Sequence, residues 1–249
     1  MKINYDEACQ YGLAVFETLP VKDGQPYWLE AHIQRLSASI AYFNLPLPPS
    51  IATDLTAYCH LQQGNKIVKL LISSNNICFT HRPNTYTEEI YKKGFSVTYA
   101  STCRNETSPF TFHKTANYGD SILEKRKAHQ NGFDEPLFLN TKGYIAEGAT
   151  TNIFFIKNQT LYTPSLSCGL LPGIVRAYIT DTFSAQECLI SPNDITQFDE
   201  CFMTNSVLGI IGVTSCGTYT FPHLNQYTTH IRQKYLIDCT KPFLYKRSY

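Results

Sequence analysis

Three short segments carry residue types that could do chemistry. In FHKTANY, Phe112 to Tyr118, Lys114 stands just before a predicted helix and after a polar stretch, where its amine can project into a cleft. An amine so placed can serve as nucleophile or base, and the plain alternative is a solvated surface lysine. Thirty-three residues on, IAEGATTNIFF interrupts a strand with a carboxylate, Glu147, followed by glycine and a small polar cluster. By itself that carboxylate also fits a charged strand end. In LLPGIVRAY, Gly173 opens a helix whose first backbone N–H groups, on Ile174 and Val175, attract an anion such as phosphate. No Gly-x-Ser-x-Gly, His-Glu-x-x-His or Gly-x-x-x-x-Gly-Lys run is present, so nucleophilic-serine, zinc-peptidase and nucleotide-hydrolase chemistry have no anchor.

The elements that must position these groups alternate irregularly. A strand over Ala14 to Val21 turns at Asp23-Gly24 into a short returning strand, Tyr27 to Leu29. From Glu30, apolar Ile33, Leu36, Ile40 and Phe43 recur at helical spacing until Pro46, Pro48 and Pro49. A helix over Ile51 to Gln62 and strands at Lys66 to Ser73 and Phe95 to Ala100 complete a small α+β layer. The polar stretch Ser101 to Pro109 is the expected interdomain connection, giving domains 1–102 and 103–249 with the active site in the cleft between them. Beyond it the pattern predicts a helix over Tyr118 to Gln130, a hairpin from Glu135 to Glu147 turning at Lys142-Gly143, and strands at Asn152 to Lys157 and Leu161 to Thr163. A helix from Gly173, a strand at Glu200 to Thr204, an apolar run Val207 to Val213 and a last helix, about Pro222 to Tyr235, follow.

Composition narrows the partners. With 21 Lys plus Arg against 20 Asp plus Glu, the net charge is +1, which disfavours nucleic-acid binding by bulk electrostatics. No long apolar run suits a membrane span and the polar N-terminus lacks a signal-peptide core. The nine cysteines are scattered without a Cys-x-x-Cys pair, so they read as reduced thiols of a cytoplasmic protein and no metal site is expected. Aromatics reach 13%, enough that some suit a subunit contact.

The three segments, in this order, resemble the fold-type IV, or class IV aminotransferase-like, family of pyridoxal 5′-phosphate enzymes. Upstream, YGLAVFETLPVKDGQPYWLEAHIQRL is similar to the family's amino-terminal signature; downstream, CFMTNSVLGIIGV is similar to the strand and turn that cup the cofactor phosphate. The resemblance implies an α+β, two-domain fold like that of D-amino-acid aminotransferase: a small α+β N-terminal domain and a larger, β-barrel-like C-terminal domain with helices. It implies that Lys114 holds pyridoxal phosphate as a Schiff base and that Glu147 faces the pyridine nitrogen, keeping the ring an electron sink. Tyr118 matches a contact to the ring's 3-oxygen. Arg35 matches the arginine gripping the phosphate, a task suited to its fork of donors. Ile174, Val175, Ser206 and Asn205 complete the phosphate cup.

Within the family, several features resemble the lyase that converts 4-amino-4-deoxychorismate to 4-aminobenzoate and pyruvate in folate biosynthesis. Thr18 follows Phe16-Glu17 where branched-chain transaminases carry glycine, and the resemblance implies that its hydroxyl handles a proton as pyruvate leaves. The alternatives are transamination of D-amino or branched-chain amino acids, and a cofactor-binding protein without catalysis. The family's Arg-Gly stretch for a substrate carboxylate is replaced by SSNNICFTHRPNTY, leaving Arg82, His81 or Arg104 as possible substitutes. The resemblance further implies a homodimer acting on a small-molecule substrate, without nucleic-acid or membrane partners.

Overall fold

The computed structural model describes residues 2–222 and 226–245. Its contacts divide the chain into two compact units. The first takes Met1–Thr85, the short stretch His113–Asn117 and the chain from Ile237 onward; the second takes Tyr86–Phe112 and Tyr118–Leu236. Residues 86–102, which the sequence reading groups with the first domain, cluster with the second unit, while the stretch carrying Lys114 clusters with the first.

In the first unit, Asp6 caps helix α1 (Glu7–Tyr11) by accepting from the Ala8 N–H at 2.9 Å, and Gly12, at φ 72°, ends it. There follow β1 (Ala14–Lys22), β2 (Gln25–Pro26), α2 (Leu29–Tyr42), α3 (Ile51–His60), β3 (Asn65–Ser73) and β4 (Ile77–Pro83), the strands forming an antiparallel sheet in the order β2-β1-β3-β4. Asp23 and Gly24 both take positive φ, 48° and 81°, the two-residue hairpin turn that suits twisted strands. That turn pairs Lys22 with Gln25 at once, so the return strand lies two residues earlier than expected and stops at Pro26, which has no N–H to donate. On one sheet face Val15, Leu19, Val68 and Leu70 pack with Leu36 and Ile40 of α2, a core worth about 1.5–3 kcal/mol per buried side chain. The sequence reading has no strand over 77–83, because this mostly exposed edge strand buries too little to show an apolar period.

The second unit contains α4 (Glu88–Lys93), β5 (Phe95–Tyr99), α5 (Pro109–Phe112), α6 (Gly119–Gln130), β6 (Glu135–Leu139), β7 (Ile145–Gly148), β8 (Asn152–Lys157) and β9 (Thr160–Pro164). It continues with α7 (Ile174–Phe183), β10 (Gln186–Cys188), β11 (Glu200–Asn205), β12 (Gly209–Cys216), β13 (Tyr219–Thr220) and α8 (Gln226–Asp238), whose last residues pass to the first unit. The expected start of that helix at 223–225 lies outside the described residues. The sheet runs β10-β9-β8-β11-β12-β5-β6-β7 with β13 on β12, and it curls so that β7 also touches β8 and β9. Its inner core includes Leu137, Ile153, Phe155, Met203 and Ile211; on the other face Phe154 and Phe202 stack at 5.0 Å. This is the α+β architecture the resemblance implies.

Two placements differ from the sequence reading. Strand β5, expected in the small layer, runs parallel between β12 and β6 in the large sheet, since a period of two marks a strand but not its partner. The polar stretch after it is no free connection: Ser101 donates its N–H and hydroxyl to Glu124 at 2.9 and 2.8 Å, tying it to α6.

Candidate active site

The lysine of FHKTANY is positioned by strand pairing. Phe16 donates its N–H to the Lys114 carbonyl at 2.9 Å and Ala116 donates to Ala14 at 2.8 Å, so residues 114–116 line the edge of β1 with Thr115 opposite Val15. Side chains alternate along a strand, and Lys114 therefore shares a face with Phe16, away from the helices. Its Nζ stands 4.4 Å from the Phe16 ring centroid, and Lys69 of β3 places its own Nζ 4.2 Å from the same centroid. Thr18, half-buried, lies on this face two residues beyond Phe16 and directly opposite Lys69. Lys69 is an exposed residue, yet desolvation of its ammonium and then the Lys114 charge push its pKa down. Sequence reasoning passed over Lys69, although a lone lysine inside the apolar run IVKLLIS was the available signal.

Arg35 goes to the helix-covered side of the sheet. There Glu17, carried between Val15 and Leu19, receives its Nε and Nη2 in a two-pronged bond, each 2.7 Å, and His32 Nδ1 at 2.7 Å. The three side chains are 1–4% exposed. Burial alone pushes the Glu17 carboxyl up, but Arg35 and then His32 reverse this and hold it well below the usual carboxylate range. Burial also lowers the His32 pKa, so the neutral ring donating from Nδ1 satisfies the bond. The guanidinium is thus fixed in orientation by an ionised carboxylate.

In the second unit the other candidates form a connected set. Glu147, 8% exposed on β7, accepts from the Leu171 N–H at 3.0 Å, just ahead of α7. Its second oxygen lies 3.1 Å from Arg104 Nε, close enough for an ion pair though off-axis for a hydrogen bond. Arg104 itself sits over the Phe138 ring, its Cζ 3.9 Å from the centroid, and donates to Ser121 at 3.0 Å. Asn152 donates to the Leu171 carbonyl at 2.8 Å and its oxygen packs where a side chain on Gly173 would stand. Gly173 caps α7 without any side-chain bond, leaving Ile174 and Val175 as its first turn. Asn205 spends its side chain on the turn after β11: the carbonyl accepts from Val207 and Leu208, both at 2.8 Å, and the amide donates to Thr150 at 3.0 Å. Ser206 is half-buried in that turn, and Tyr118 is half-buried at the start of α6. Of the possible carboxylate binders, His81 bonds Tyr58, Arg104 serves Glu147, and Arg82, paired with Ile67, falls on the Lys69 face.

The profile of amino-transferase class IV matches residues 14–216. The chain belongs to the class IV aminotransferase family. Among relatives, it is 27% identical over 237 residues to the aminodeoxychorismate lyase of Bacillus subtilis, covering 84% of this chain and 80% of that one. To the branched-chain-amino-acid aminotransferase of Salmonella typhimurium it is 26% identical over 239 residues, covering 84% and 77%. The solved branched-chain aminotransferase of Escherichia coli superposes with a TM-score of 0.83 at 24% identity, covering 94% of this chain and 87% of that one. The class IV family is pyridoxal phosphate-dependent and acts on small molecules. The donor set here fits that group: a lysine amine that can meet an aldehyde, a buried carboxylate for a protonated ring nitrogen, and a glycine-started helix for a phosphate. Among the described residues, no cluster of His, Cys, Asp and Glu could hold a metal, and no helix is long and apolar enough to cross a membrane.

Proposed function

We propose that this chain is a pyridoxal 5′-phosphate-dependent lyase releasing 4-aminobenzoate and pyruvate from 4-amino-4-deoxychorismate. The observation that carries this reading is the sheet face on which Lys114, Thr18 and Lys69 gather around Phe16. Bound, the coenzyme would supply an aldehyde for the substrate amine and a ring that accepts the electron pair left behind when a proton departs. Lys114 takes that proton from the carbon bearing the amine. The Thr18 hydroxyl holds a proton for the departing enolpyruvyl group, and Lys69 offers its charge to a substrate carboxylate. Glu147, steadied by Arg104 and Leu171, keeps a ring nitrogen protonated. Arg35, the Ile174 and Val175 N–H groups and the Ser206 hydroxyl hold the phosphate, with Asn205 fixing the turn that presents Ser206, and Tyr118 meets the ring oxygen. A cytoplasmic homodimer belongs to the same reading.

The aminotransferase relatives favour a second reading, amino-group transfer by the same lysine on D-amino or branched-chain amino acids. Enzymatically generated aminodeoxychorismate separates the two: wild type should release 4-aminobenzoate and Lys114→Ala should not. No product from wild type, with D-alanine or leucine converted to its keto acid, contradicts the lyase.

A further inference from the structure

We infer that His113 is a positioning residue for Lys114: its bond to Ser39 and its seat against Tyr42 and Phe43 set the register in which residues 113–117 join β1, and so decide which sheet face receives the amine. The inference rests on the role proposed above for Lys114.

The main-chain bonds that attach this stretch, Phe16 to the Lys114 carbonyl and Ala116 to Ala14, carry no side-chain information. A pairing shifted by one residue would make similar bonds and send every side chain to the opposite face. Such a slip would point Lys114 toward α2 and leave an ammonium among apolar rings, away from Phe16. Something in the side chains must select the observed register. His113 and Thr115, 4% and 3% exposed, are the two buried on the helix side. Thr115 Oγ1 accepts from the Asn117 N–H at 3.3 Å, a bond that stays inside the stretch and would travel with it. His113 instead reaches another element: its Nδ1 lies 3.0 Å from Ser39 Oγ on α2, 74 residues away in sequence. Its ring sits 4.4 Å from Tyr42, tilted, and 5.1 Å edge-on from Phe43. A polar atom with a matching partner on another element, set in an aromatic seat, favours one position where apolar packing alone tolerates several. Because His113 adjoins Lys114 in a strand-like stretch, fixing one ring inward fixes the next side chain outward.

Three full-length variants test this. Ser39→Ala removes the partner while placing a better helix former on α2, so it folds. His113→Phe keeps the ring and loses the bond, and His113→Asn keeps a polar atom near the Nδ1 position. Two readouts are taken alongside thermal midpoints. In the apoprotein, acetic anhydride labelling of Lys114 relative to exposed Lys92 is read by peptide mass spectrometry. We expect that ratio to change about threefold or more in Ser39→Ala and His113→Phe, as local opening frees the stretch, and to return toward wild type in His113→Asn. In the holoenzyme, kcat should fall about ten- to hundredfold with KM nearly unchanged, since a displaced amine impairs the reacting geometry rather than binding. Labelling ratios and kcat both within about twofold of wild type in Ser39→Ala and His113→Phe would overturn the inference. A wild type that never takes up pyridoxal phosphate ends the enzymatic reading, and the labelling ratio alone then decides this one.

Discussion

Removing the Glu17 carboxylate tests how Arg35 is held. In Glu17→Ala, the guanidinium, in a residue 3% exposed, loses two charge-assisted bonds of 2.7 Å, and His32, 1% exposed, loses its acceptor. Breaking one partner of a buried pair costs about 3–5 kcal/mol, and two bonds to charged groups at about 1.5–3 kcal/mol each give a similar sum. Against a total stability of about 5–15 kcal/mol, that loss is about a fifth or more. Urea unfolding at neutral pH, extrapolated linearly to water, measures it. The double variant Glu17→Leu with Arg35→Met should recover most of the loss, because an apolar pair of similar volume carries no stranded charge. The pH dependence has a definite sign. Glu17 titrates below its unfolded value of about 4.3, so its contribution is complete above that pH and fades on acidification. A gap between wild type and Glu17→Ala under about 1 kcal/mol at neutral pH, or a double variant no better than the single one, refutes the reasoning.

Two further changes probe other joints. Asp6 accepts from Ser73 at 2.6 Å, Asn76 at 2.8 Å and Asn75 at 3.0 Å, and with the Ser73 hydroxyl contributing most, its carboxyl is held down to about 2. Asp6→Asn should lower the thermal midpoint above about pH 4, with the difference vanishing as pH falls toward 2, checked by circular-dichroism melts across that range. Gly173→Ala puts a methyl group against the Asn152 oxygen, so Asn152 must leave the Leu171 carbonyl; we expect about 1–3 kcal/mol of destabilisation by urea unfolding, and an unchanged midpoint contradicts the packing.

How much was legible in the sequence follows from what each pattern encodes. Strand β8 and helices α2, α6 and α7 could be read because apolar spacing and Pro or Gly stops are local signals. The sheet to which Phe95–Tyr99 belongs was not legible, since alternation names no partner. Helix α1 was missed because five residues show no period, although Asp6 and Gly12 are its caps. In the candidate site, Lys114 and Glu147 each fit a plain surface charge when read alone, and it was the order of the motifs and their resemblance to the family that singled them out. What surrounds them did not: the Glu17–Arg35 fork joins residues 18 apart on a strand and a helix, and Arg104 meets Glu147 across 43 positions, distances that only the fold closes. The loop SSNN is likewise explained by its partner at the far N-terminus, Asp6, which engages Ser73, Asn75 and Asn76.

Borohydride reduction of the holoprotein, followed by peptide mapping, identifies the lysine that carries the coenzyme. Lys114 and Lys69 both reach the Phe16 ring, at 4.4 and 4.2 Å, so the measurement chooses between neighbouring amines on one face. A pyridoxyl adduct is expected on the peptide containing Lys114 and none on the peptide containing Lys69. An adduct on Lys69, or on no lysine at all, contradicts the role proposed for Lys114.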